Sequence, residues 1–118
     1  MNKDLRSFIG EARQLGSAFY ANVSKAVDPI FEPCVIQQKL AAEGRYPVIR
    51  CENVNGSEFP LLTNLFGNYD LLGLALGVDP DEPKSAILQR FIDREANPLP
   101  TKTINPADAP VKQRVLLG

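Results

Sequence analysis

Apolar residues recur three or four apart at the start of the chain: Leu5, Phe8, Ile9, Ala12 and Leu15, with Arg6, Arg13 and Gln14 between them. That stripe predicts an amphipathic helix over 4–15, capped by Asn2 or Asp4 and ended by Gly16. The run 18–23, rich in aromatic and small residues, predicts a first strand, and Val27-Asp28-Pro29 turns the chain. Pro29 and Pro33 suit the start of a second helix, where a missing N–H costs nothing. This helix carries Cys34, Val35, Ile36 and Leu40 and stops at Gly44. Residues 46–52 read as a second strand, with Pro47 marking a sheet edge or the strand's beginning. Asn55-Gly56 is a turn signal, and 61–65 predicts a short third strand. Asn68 then caps a helix through Leu76 that is apolar on nearly every side, and Gly77 closes it. A last helix opens at 79–83 and gathers Ile87, Leu88, Phe91 and Ile92 on one stripe.

Past Asn97 the periodicity is lost. Pro98, Pro100, Pro106 and Pro110 predict extended chain without regular helix, and 111–118 reads as a terminal strand. The expected architecture is an α/β domain over 1–97, α+β in arrangement. One layer of helices packs on a small mixed sheet of three or four strands, and a Pro-rich linker and strand follow over 98–118.

Composition narrows the chemistry. The 118 residues carry 13 Lys+Arg against 14 Asp+Glu, a net charge of −1, which argues against a nucleic-acid partner because phosphate binding needs a basic excess. With no histidine, His-based triads, His-ligated metals and imidazole bases are excluded. Cys34 and Cys51 form no C-x-x-C; they read as reduced, buried small hydrophobes, with a disulfide between them left open. Asp79, Asp81 and Glu82 sit where a helix start favours acidic residues. Gly56 and Gly67 each stand alone, so no phosphate-cradling loop is present. The lysines at 25, 39, 84, 102 and 112 lie among polar neighbours. There is no apolar run near the ~20 residues of a membrane helix and no secretory h-region, so a cytoplasmic location away from membranes is expected. No position is expected to be catalytic, cofactor-binding or metal-ligating.

Several stretches in order nevertheless resemble the N-terminal domain of the UbiD family of decarboxylases. They are Asp4-Leu5-Arg6-Ser7-Phe8-Ile9 followed by Gly16, then Val27-Asp28-Pro29, then 48–57 with its Glu52-Asn53-Val54-Asn55-Gly56-Ser57 end. Phe59-Pro60-Leu61-Leu62-Thr63-Asn64-Leu65-Phe66-Gly67 and Leu74-Ala75-Leu76-Gly77 follow. The tail 106–118 resembles the linker and strand that lead into the family's flavin-binding domain. The resemblance implies a reversible (de)carboxylase of aromatic and α,β-unsaturated acids using prenylated FMN with Mn²⁺ and K⁺. The family's catalytic carboxylates, arginine and metal ligands belong to a central domain that matches nothing here. The resemblance therefore implies a larger UbiD-like catalytic partner that holds the cofactor, in a hetero-oligomer. A separate non-catalytic small subunit and an excised domain both fit, and a stand-alone binding or regulatory module is the alternative. Under the subunit reading, Phe66 with Asn64, Leu65, Gly67 and Asn68 is the expected contact corner, joined by Val115, Leu116 and Leu117. The all-round apolar helix belongs either to the core or to the interface.

Overall fold

The structure is a computed structural model and describes residues 4–112. Residues Val115, Leu116 and Leu117, and with them most of the expected terminal strand, lie outside the described residues. The element order is α1 (Leu5–Gln14), β1 (Tyr20–Val27), α2 (Glu32–Ala42), β2 (Val48–Val54), β3 (Leu61–Thr63), α3 (Tyr69–Leu76) and α4 (Lys84–Ala96).

The sheet runs β1-β2-β3. β1 lies parallel to β2, with Tyr20 opposite Val48 and Val27 opposite Val54; β3 runs antiparallel to β2, with Leu62 opposite Arg50. Alternation along a strand sends neighbours to opposite faces, and β2 buries both. Val48 packs with Phe8 and Ala12 of α1 and Leu71 of α3, whereas Ile49 and Cys51 pack with Val27 against Ile36 and Leu40 of α2. Helices therefore cover both faces, not the single layer expected. The physical reason is that a central strand buried on both sides carries adjacent apolar residues, as Val48-Ile49 does. Each fully buried aliphatic side chain contributes about 2 kcal/mol.

Local chemistry sets the boundaries. At α1, Ser7 N donates to Asp4 Oδ1 at 2.7 Å and Asp4 N donates to Ser7 Oγ at 2.9 Å, a reciprocal cap. These bonds hold the Asp4 carboxyl below its ordinary pKa, the Ser7 backbone N–H being the largest cause. β1 begins two residues later than expected, because Phe19 N and Tyr20 N both donate to Gly16 O and close a turn over 16–20. Pro47 precedes β2 and is buried, so it opens the central strand and does not mark an edge. β3 is three residues long because the next residue, Asn64, takes a left-handed φ of 58°. Cys34 is exposed, contrary to expectation, while Cys51 is buried; both are free thiols. Burial pushes the Cys51 thiol pKa up, with Glu32 adding a smaller push. Beyond α4, the chain forms short 3₁₀ turns at Pro106–Asp108 and Pro110–Lys112, so residues 111 and 112 are not strand.

The molecule is broad and thin. Its extents are 47 × 46 × 22 Å and its radius of gyration is 17.5 Å, against about 13.5 Å for a compact chain of this length. Ten hydrophobic residues are buried while fifteen large ones are exposed among the described residues.

Candidate functional site

The expected contact corner is built by two asparagines. Asn64 leaves β3 in the left-handed region, which Asn tolerates better than most residues. Its Nδ2 donates to Pro47 O at 2.9 Å. Gly67 N donates to Asn64 O at 3.2 Å, and a Cβ on Gly67 would collide with the Asn64 side-chain amide. Asn68 caps α3, accepting from Leu71 N at 2.9 Å, while its Nδ2 donates to Tyr46 O at 3.1 Å. Both asparagines thus fasten the corner to the segment that leads into β2. Leu65 turns inward onto the core cluster of Phe8 and Leu71. Phe66 turns outward: it is 60% exposed, its ring 6.0 Å from that of Phe8 at an interplanar angle of 57°.

The structure therefore gives the five residues different work. Asn64, Gly67 and Asn68 set the backbone, Leu65 anchors the corner, and Phe66 is the side chain it offers. Open hollows flank that ring. One, of about 260 Å³, lies between α1 and α3 against Leu5, Phe8 and Ala75. The other, of about 370 Å³, lies toward Tyr46, Tyr69 and Lys84, where the Lys84 ammonium stands 5.4 Å from the Tyr69 ring centroid.

A second surface was not legible in the sequence. On α4 only Ile87 is buried, against Gly73 and Val78 of the α3 region, while Leu88 is 63%, Phe91 53% and Ile92 48% exposed. The sequence places these residues on one stripe and leaves open what covers it. Its width was the available signal, since a full face of large apolar residues exceeds what the eight-residue α3 can cover.

Among the described residues no three His, Cys, Asp or Glu side chains gather to hold a metal ion. No polar or charged residue is buried among them either.

Comparison with known proteins gives the fold a context. Residues 20–91 match the family model described as the 3-octaprenyl-4-hydroxybenzoate carboxy-lyase N-terminal domain. Among solved structures, the closed form of vanillic acid decarboxylase from Sedimentibacter hydroxybenzoicus is 24% identical, with a TM-score of 0.80 over 98% of this chain and 24% of that one. Its open form with a truncated second component gives a TM-score of 0.79 at 24% identity, over 98% of this chain and 25% of that one. An evolved dimeric form of the UbiD-class enzyme HmfF from Pelotomaculum thermopropionicum, in complex with prFMN, is 27% identical. Its TM-score is 0.73 over 95% of this chain and 24% of that one. The chain spans about a quarter of the length of the structures it matches.

Proposed function

The chain belongs to the UbiD N-terminal domain family, and from that premise we propose that it is a non-catalytic small subunit of a prenylated-FMN-dependent (de)carboxylase. The substrate class is an aromatic or α,β-unsaturated carboxylic acid. The chemistry resides on a larger UbiD-like catalytic chain, which holds the prenylated flavin with Mn²⁺ and K⁺; the flavin supplies the electron sink for breaking or making the C–C bond to CO₂. The work of this chain is to dock on that body, brace it and keep water from its reaction centre. We place the assembly in the cytoplasm; among the described residues no helix is long and apolar enough to cross a membrane.

The observation that carries this reading is a hydrogen-bonded corner holding Phe66 60% exposed. An aromatic presented on a fixed backbone is the type of anchor that dominates interfaces. Two comparisons lend support: the relatives carry this fold within chains about four times as long, and the HmfF structure contains prFMN. A stand-alone regulatory module would be expected to cover its own apolar faces, which Leu88, Phe91 and Ile92 do not. The test is Phe66→Ala in the complex with the flavin-binding chain. Loss of a central anchor costs about 2 kcal/mol, roughly thirtyfold in Kd. Unchanged affinity together with an unchanged decarboxylation rate contradicts the assignment.

A further inference from the structure

Between α1 and the sheet lies an open groove of about 510 Å³ whose walls carry three arginines, Arg6, Arg13 and Arg50, and no acidic residue. In a chain of net charge −1 this is a local concentration of positive charge. Arg6 and Arg13 stand seven residues apart on α1, hence about 10 Å along its axis. Arg50 comes from the centre of β2, on the face that Val48 presents to α1, with Asn22 and Leu62 on the neighbouring strands. It is half-buried, its apolar stem against the sheet. Among the described residues the ion pairs join Lys25 to Glu32 and Arg45 to Glu43, and the groove arginines take part in neither. The floor is apolar, formed by Ile9, Leu62 and the ring of Tyr20, whose centroid lies 6.0 Å from the Arg13 guanidinium.

We propose that this groove recognises an acidic, partly apolar segment of a partner polypeptide, in which carboxylates alternate with hydrophobic side chains. A guanidinium presents a planar fork that matches a carboxylate and sheds water more readily than an ammonium. The spacing of Arg6 and Arg13 is wider than one small anion bridges, and it suits carboxylates borne along an extended chain. The apolar floor takes the side chains between them. Leu5 borders both this groove and the hollow beside Phe66, so the charged and aromatic parts form one continuous surface. The inference deepens the docking role proposed above and rests on it for the existence of a partner; the groove's own binding is measurable without any enzyme.

The test is an NMR titration of the full isotope-labelled chain with a short synthetic peptide alternating Glu with Leu and Phe. Its glutamine counterpart, sodium benzoate and inorganic phosphate serve as the other probes. The expected result is saturable binding of the acidic peptide, with shifts at Arg6, Arg13, Tyr20 and Arg50. Its affinity falls about tenfold from low to high salt, and by at least as much in Arg6→Gln/Arg13→Gln. Those two positions are exposed on α1, so the double variant keeps its fold even if Arg50→Gln does not. Absence of saturable binding overturns the proposal, as does equal binding of the glutamine peptide or indifference to the double variant. Benzoate or phosphate saturating the same residues as tightly also overturns it, assigning the groove to a small anion. A Phe66→Ala chain retains peptide binding, so failure of the groove and failure of the docking corner are read separately.

Discussion

The Asn64 side-chain amide donates to the Pro47 carbonyl at 2.9 Å, joining the end of β3 to the residue before β2. The same amide fills the space into which a Gly67 side chain would project. These two positions are coupled, and Gly67→Ala must displace the bond that Asn64 makes. The expected loss is about 1–3 kcal/mol, the cost of leaving a part-buried donor and acceptor unpaired. Asn64→Ala loses about as much, and the double variant loses less than the sum. Thermal unfolding of the three variants checks this; additive losses would show that the residues act independently.

At the other end of the corner Asn68 has two duties, capping α3 and donating to Tyr46 O. Asn68→Asp keeps the acceptor for Leu71 N and removes the donor, whereas Asn68→Ala removes both. Loss of an N-cap costs about 1 kcal/mol. Denaturant midpoints should rank native, then Asp, then Ala.

The α4 stripe separates burial from mere apolarity. Ile87 is buried while Phe91 is 53% exposed. Ile87→Ala should cost about 2–3 kcal/mol through the cavity it leaves. Phe91→Ala in the free chain should stay within about 1 kcal/mol. Comparable losses at the two positions would mean that α4 is covered on its outer face in the free chain.

Asp4 links α1 to pH. Its carboxyl is held below the ordinary 3.8 mainly by the Ser7 backbone N–H, so its charged form is favoured in the folded state. The stabilisation is present above 3.8 and is lost as pH falls through the lowered folded value. Asp4→Ala should therefore be less stable than the native chain at neutral pH and converge with it in strong acid. A constant difference across that range would contradict the cap.

The two thiols should behave oppositely. Cys34 is exposed, and Cys51 is buried with its pKa raised, which lowers its thiolate fraction. Under native conditions a maleimide should label Cys34 and reach Cys51 only on unfolding, as read by intact mass. Equal labelling rates would place Cys51 at the surface.

What the sequence made legible was local. Asn68 and Gly77 bounded α3 at the residues where the structure caps it and turns left-handed, with φ of 75° at Gly77, because capping depends only on neighbours in the chain. Of the two caps the sequence offered for α1, Asn2 and Asp4, the structure uses Asp4. The burial of β2 on both faces was hidden by Arg50, a charged residue inside an apolar run that masks the pattern of a central strand. The exposure of Leu88, Phe91 and Ile92 was hidden because periodicity says which residues share a face, not whether anything covers it. The corner at 64–68 was legible only in part, since Asn64 and Leu65 read as strand and the structure ends β3 at Thr63. The division of labour between Asn64 and Phe66 depended on Pro47 and Tyr46, about twenty positions away in the chain, which no local pattern connects.

The central claim is that this chain works docked on a larger flavin-holding protein. Native mass spectrometry of the chain purified gently from its source tests it most directly. The account predicts a complex whose mass exceeds the 13.0 kDa chain by that of a UbiD-like polypeptide with bound prenylated flavin. A bare 13.0 kDa monomer, with nothing attached at cellular concentration, would contradict it.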